Sequence, residues 1–239
     1  MLPGIPVHIR HRGNNRQACF FADNDRSFYL LHLKRLLPLT ACRLHAYCLM
    51  PNHVHLLITA AATDGCARLM QRLAQLHTQY MNRTYGRSGS LWEGRFRSCL
   101  VQAEDYLIAC YRYIDSNPVR AALCAAPGEY AWSSYGSNAA GIPDAGITPH
   151  EQYESLGATP AARRRAYVEL FMGDERYWRI EEIRRATNGN FALGDESFRR
   201  RLAAMLGRRV TPGKAGRPAS GGVDERQLDL LGDKNVVCP

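Results

Sequence analysis

The sequence predicts an α+β fold. Apolar and polar residues alternate at strand period over 7–12, and short apolar runs follow at 42–49 and 53–59. Apolar stripes at helical period fall between and after them. The pair Pro51-Asn52 separates two of the runs so closely that they must form an antiparallel hairpin. At 239 residues the chain can bury one good core, or a core and a smaller appended module.

Taken in order, VHIRHR (7–12) is a strand whose alternate residues His8, Arg10 and Arg12 share a cationic side. RGNNRQ follows as a turn, since Gly13, Asn14 and Asn15 tolerate positive φ. Its arginines make it either a phosphate contact or an ordinary surface turn. Asp23 or Asp25 caps a helix running to about Leu37, with Phe28, Leu31 and Leu36 inward and Pro38 ending it. After the hairpin, Asp64 caps a second helix on the stripe Leu69, Leu73, Leu76 and Tyr80, with His77 expected at its surface or at the edge of the core. LWEGRFRSCLVQ (91–102) opens as an aromatic and basic cluster and ends as a strand. Trp92, Arg95, Phe96 and Arg97 suit base stacking and phosphate binding, although Trp and Phe suit a core equally well. A helix over 104–117 then presents Leu107, Ile108, Tyr111 and Ile114 for burial, and Pro118 stops or kinks it.

Charge narrows the partners. The formal charge is +9 and the pI near 9.3, and of 31 basic residues only Lys34, Lys214 and Lys234 are lysine. Arginine's planar fork takes phosphate oxygens in pairs, so the surplus suits a polyanion, with a merely solvated basic surface as the alternative. None of the eight cysteines forms a CxxC pair, and several sit in apolar stretches, as reduced structural thiols do. No apolar run nears the roughly 20 residues of a membrane span and the N-terminus lacks a signal-type apolar segment, so a cytoplasmic, membrane-free protein is expected.

The chemistry concentrates in YCLMPNHVHLLI (47–58). On a strand, His53 and His55 leave the same side, roughly 7 Å apart at Cα, and one metal ion can sit between them. Tyr113 and Asn117 stand at i and i+4 on one helix face, about 6 Å apart, pairing a nucleophile with a hard amide ligand. Phosphodiester transesterification needs such parts: a tyrosine that stores the bond as a phosphotyrosine, and a metal that polarises the phosphate. Two imidazoles and an amide oxygen suit Mg²⁺ or Mn²⁺.

RGNNRQ, AYCLMPNHVHLLI, LWEGRF, EDYLIACYRYIDSNPVRAAL and EYAWSSY stand in the order and spacing of the IS200-like transposases, and the chain most resembles their domesticated branch, the REP-associated tyrosine transposases. The resemblance covers roughly residues 5–140. It implies a ferredoxin-like sandwich, an antiparallel sheet with helices on one face, the histidines on a central strand and the tyrosine helix across the face that holds them. It also implies a histidine–hydrophobic–histidine nuclease that cuts single-stranded DNA at hairpin-forming repeats. Carried over by motif, Tyr113 is the catalytic tyrosine, and His53, His55 and Asn117 hold Mg²⁺ or Mn²⁺. Arg12, Asn14, Asn15, Arg16, Trp92, Arg95 and Arg97 are the candidate DNA contacts. The protein would be nucleoid-associated, with a monomer favoured over a dimer.

The expected organisation is a catalytic domain over 1–135, a Gly-, Pro- and Ala-rich linker over 136–159, a helical basic extension over 160–210 and a disordered tail over 211–239. Arg163, Arg164, Arg165, Arg199, Arg200 and Arg201 of the extension suit a hairpin stem or a solvated face alike. Two other readings stay open: a catalytically silent repeat-DNA binding protein, and a metallohydrolase holding Zn²⁺ through Cys48, His53 and His55.

Overall fold

The computed structural model describes residues 1–173 and 179–213. Strands β1 (Pro6–Arg12), β2 (Cys42–Met50), β3 (His53–Ala60), β4 (Arg97–Val101) and β5 (Ala192–Leu193) form one sheet in the order β2-β3-β1-β4-β5. The first four pair antiparallel, and the two-residue β5 adds parallel to β4. The strand–helix–strand–strand–helix–strand order of the first hundred residues therefore forms as read, and it gives the expected α+β sandwich.

Strand period divides the sheet into two faces. Val7, Ile9, Leu44, Tyr47, Leu49, Val54, Leu56, Ile58 and Leu100 build one core with helices α1 (Asp23–Leu39) and α2 (Gly65–Tyr85). Ala46, Cys48, Met50, Leu57, Cys99 and Val101 build the other with α3 (Asp105–Asp115). Both faces are thus covered, and α3 lies on the side of the histidine pair.

Helix α1 is rotated from the expected phase. Tyr29, Leu33, Leu36 and Leu37 are buried and Leu31 is 47% exposed. The helix also runs one residue past Pro38. Buried Asp25 sets the phase, because its carboxylate accepts hydrogen bonds from the backbone N–H groups of Phe21 (2.7 Å) and Ala22 (2.8 Å). The Tyr80 and Tyr85 hydroxyls of α2 donate to the same group at 3.0 and 2.9 Å. His77 is fully buried, its Nε2 2.8 Å from the Cys19 carbonyl, because a hydrogen-bond partner inside the core makes burial of a neutral imidazole affordable.

The stretch 136–159 differs from the expected linker. It carries α5 (Tyr135–Ala140) and α6 (Glu151–Glu154), with α4 (Asn117–Arg120) preceding them. Ile147 bridges to Leu44 of β2, and Tyr153 is buried with its hydroxyl donating 2.6 Å to the Asn138 carbonyl. A run of small residues suggests flexibility, but here it allows close packing on the sheet edge. The expected extension joins both cores. Tyr167 of α7 (Pro160–Glu169) and Ile183 of α8 (Ile180–Gly189) pack on the α3 side, and Phe198 and Leu202 of α9 (Glu196–Leu206) on the α1 side. Arg163, Arg199 and Arg200 form ion pairs with Glu154, Glu182 and Glu196. Of the expected tail, 214–239 lies outside the described residues, as does Cys238; the other seven cysteines are free thiols.

Burial by itself would raise the Asp25 pKa, but the four donated hydrogen bonds outweigh it and hold the carboxyl below its ordinary value. That stabilisation is present above the unfolded pKa of about 3.9 and is lost as pH falls through the lower folded value. Asp25→Ala is expected to cost about 1–3 kcal/mol at pH 7 in urea denaturation. The gap to wild type should narrow steadily as the titration is repeated toward pH 3.

Candidate active site

The β1–β3 register builds the site. Arg10 stands opposite His55 and Arg12 opposite His53, while β4 sets Arg97 beside Arg10. His8, Arg10, Arg12, His53, His55 and Arg97 therefore share one face, and α3 lies across it. The Tyr113 ring packs edge-on against His55 and against His8, each at 5.6 Å between centroids, and the His53 and His55 rings are 4.9 Å apart. The sequence-predicted nucleophile and histidine pair are thus brought together from segments about 60 residues apart.

Each histidine of the pair is held through one ring nitrogen. His53 Nδ1 lies 2.6 Å from Asn52 Oδ1, and His55 Nδ1 lies 2.8 Å from His8 Nε2. The Nε2 atoms are the ones left for a ligand. Burial and the charges of Arg12 and Arg10 pull the His53 pKa down to about 4, and burial with His53 and His8 nearby pushes His55 well below its ordinary value. Both imidazoles are neutral at pH 7, the state in which they ligate metals. The helix expected over 104–117 breaks at Ser116, so Asn117 opens α4 and donates its Nδ2 to the carbonyls of Tyr113 (2.9 Å) and Ile114 (3.3 Å) at the end of α3, with Oδ1 as the atom that could serve a ligand. Two neutral nitrogens and one amide oxygen fit a hard divalent cation that keeps water or phosphate in its other positions.

Among the described residues no three His, Cys, Asp or Glu side chains are grouped to hold a metal. The Cys48–His53–His55 zinc set is therefore not formed, and burial pushes the Cys48 thiol well up, against thiolate ligation.

Tyr113 is 7% exposed, and burial raises its pKa. Three cations oppose that rise. The Arg120 guanidinium lies 4.4 Å over the ring and donates 2.8 Å to the Tyr113 carbonyl, and the charges of Arg184 of α8 and of Arg10 act in the same direction. Asp115, two residues further along α3, faces away. Its carboxylate accepts from Ser134 (2.8 Å) and Tyr167 (2.7 Å), so it ties the tyrosine helix to α5 and α7 rather than tuning the histidines.

The basic motifs gather at the His53 end of the sheet. Asn14–Arg16 form a single 3-10 turn of exposed residues with positive φ at Asn15 and Arg16. Gly13 N–H donates to the Asn52 carbonyl (2.9 Å), and Asn52 Nδ2 to the Arg16 carbonyl (3.1 Å). A Cβ on Gly13 would fall 2.2 Å from the Gln17 carbonyl oxygen, so only glycine fits. The 91–97 segment joins through Asn14 N–H to the Leu91 carbonyl and Glu93 N–H to that of Arg12. Arg95 and Arg97 are exposed and Arg12 is half-buried. Trp92 departs from the base-stacking expectation. It is 5% exposed and stacked on His11 at 4.2 Å, because a large apolar ring gains more from core burial than from a solvent-facing position. His8, Arg120, Arg184 and Thr187 were not singled out as site residues. The alternation at 7–12 already put His8 on the cationic side, whereas nothing local marks Arg184 or Thr187.

The IS200-like transposase family model matches residues 3–117. A search of curated proteins found no match. Among solved structures, the REP-associated tyrosine transposase bound to a REP hairpin is similar, with a TM-score of 0.51 and 15% identity over 62% of this chain and 88% of that one, which shows a shared fold. A transposase candidate from Deinococcus radiodurans R1 is also similar, with a TM-score of 0.34 and 17% identity over 43% of this chain and 83% of that one. No described helix is long and apolar enough to cross a membrane. The matched span runs from the cationic strand through the histidine pair to the end of the tyrosine helix, and over it the chain is similar to the IS200-like transposases.

Proposed function

We propose that the chain is a metal-dependent single-stranded DNA endonuclease and strand transferase that works through a covalent phosphotyrosine. The observation that carries this reading is the convergence of Tyr113, His53 and His55 on one sheet face, with the tyrosine ring 5.6 Å from that of His55. In the reaction the Tyr113 oxygen bonds to phosphorus, the ester bond to the leaving strand breaks, and that strand departs as a hydroxyl after taking up a proton. A second strand hydroxyl then attacks the phosphotyrosine and restores both the phosphodiester and the phenol.

His53, His55 and Asn117 would hold Mg²⁺ or Mn²⁺, and a bound cation supplies Lewis-acid polarisation of the scissile phosphate. Arg120 and Arg10 stabilise the phenolate as it forms, which offsets the rise that burial imposes on Tyr113. Arg12, Asn14, Asn15, Arg16, Arg95 and Arg97 line the approach to His53 and grip the backbone. The proposed substrate is a hairpin-forming repeat in single-stranded DNA, in keeping with the hairpin carried by the structural neighbour. Action as a monomer in the cytoplasm, at the nucleoid, completes the reading.

Incubation with a labelled single-stranded hairpin from the repeats flanking the gene, with Mg²⁺ or Mn²⁺, tests the proposal. Wild type should give a covalent protein–DNA band that Tyr113→Phe lacks while still shifting the hairpin; a hairpin bound but uncut by both proteins would instead identify a silent binding protein. His53→Ala is expected to drop cleavage to background with binding within a few-fold of wild type, and lost binding with cleavage retained would refute the assignment. Affinity should fall linearly with log salt, and Arg97→Ala should flatten that slope by about 0.7 if it meets one single-strand phosphate.

A further inference from the structure

The hydrogen bonds behind His55 continue into helix α8, beyond the span matched to the transposase family. His8 Nε2 meets His55 Nδ1 at 2.8 Å, and His8 Nδ1 meets Thr187 Oγ1 at 2.8 Å. Thr187 Oγ1 in turn lies 2.8 Å from the Ile183 carbonyl and 3.3 Å from Cys99 Sγ. All three side chains of this run are buried: His55 is 1% exposed, His8 0% and Thr187 2%.

The proton positions follow from which atoms can donate. A carbonyl oxygen has no proton, so the close contact with Ile183 must use the single proton of the Thr187 hydroxyl. Thr187 is then an acceptor toward His8, which places the proton of neutral His8 on Nδ1. His8 Nε2 is left as a lone pair, and the proton in its contact with His55 belongs to His55 Nδ1. His55 Nε2 is consequently bare. The opposite order would set a proton on His55 Nε2 and close it to a cation.

We propose that Thr187 and His8 are positioning residues that hold His55 in its Nδ1-protonated tautomer, with the Nε2 lone pair presented to a divalent cation, so that α8 is a working part of the metal site. This rests on the metal-dependent reading above. Partners behind a metal-bound imidazole fix its tautomer and raise its basicity, and their loss weakens binding about 10- to 100-fold. His8 serves here as that partner. It is not itself part of a three-residue metal cluster, since none is present among the described residues.

The test uses the full chain and Mn²⁺ alone. Long-range ¹H–¹⁵N spectra of the metal-free protein read the tautomer, and electron paramagnetic resonance titration reads Mn²⁺ affinity. Wild type and Thr187→Ser should both show His55 protonated at Nδ1 and bind Mn²⁺ alike. Thr187→Val should lose the single tautomer and bind Mn²⁺ about 10- to 100-fold more weakly, with hairpin binding kept. His8→Leu gives the same outcome from the other end of the run and covers the case in which Thr187→Val does not fold. Mn²⁺ affinity unchanged in a folded Thr187→Val, or a wild type with the proton on His55 Nε2, overturns the relay alone. A folded wild type that binds no Mn²⁺ overturns the metal reading and this role with it.

Discussion

The antiparallel register of β1 against β3 is the constraint on which the site depends. With Arg10 opposite His55 and Arg12 opposite His53, three cationic or imidazole-bearing residues of one strand face the histidine pair of the next. A slip of one residue would send His8, Arg10 and Arg12 into the apolar face under α1 and α2 and bring Val7 and Ile9 against the histidines. The register is secured from both directions, because Val7 and Ile9 are buried in the core on one face while the His8–His55 bond ties the other.

That arrangement also explains how neutral imidazoles persist in a chain of formal charge +9. Burial and the neighbouring arginines act in the same direction on His53 and His55, and both disfavour a proton. At Tyr113 the two effects oppose each other, since burial favours the phenol and the guanidiniums favour the phenolate. One basic, half-buried surface thus acts in opposite senses with burial at the phenol and in the same sense at the imidazoles.

The departures from the sequence reading share a cause. Residue type leaves Trp92 as either a base platform or a core residue, and periodicity puts His77 at the surface or the core edge, yet both belong to one buried aromatic group, their rings 5.8 Å apart. Period locates a face, but whether a polar aromatic on its margin is buried depends on a partner far away in sequence, as the Cys19 carbonyl is for His77. The Gly- and Ala-rich stretch after Tyr135 misled for a related reason, because small side chains read as flexible when their packing partner, the edge strand β2, is out of view.

Although the helix expected over 104–117 ends at Asp115 and Asn117 opens α4, the residue pattern alone orders the strands and helices up to Tyr113 and puts His53 and His55 on a common face. These follow from the 2.0 and 3.6 residue periods, which are local properties of the backbone. It also made the basic character of the surface plain. Packing in three dimensions alone brings the turn at 13–16 and the 91–97 segment together at the hairpin tip and carries Arg184 and Thr187 of α8 toward Tyr113 and His8. Those contacts join residues up to 179 positions apart. They arise from how two faces of one sheet are covered, and no local pattern encodes which helix covers which face.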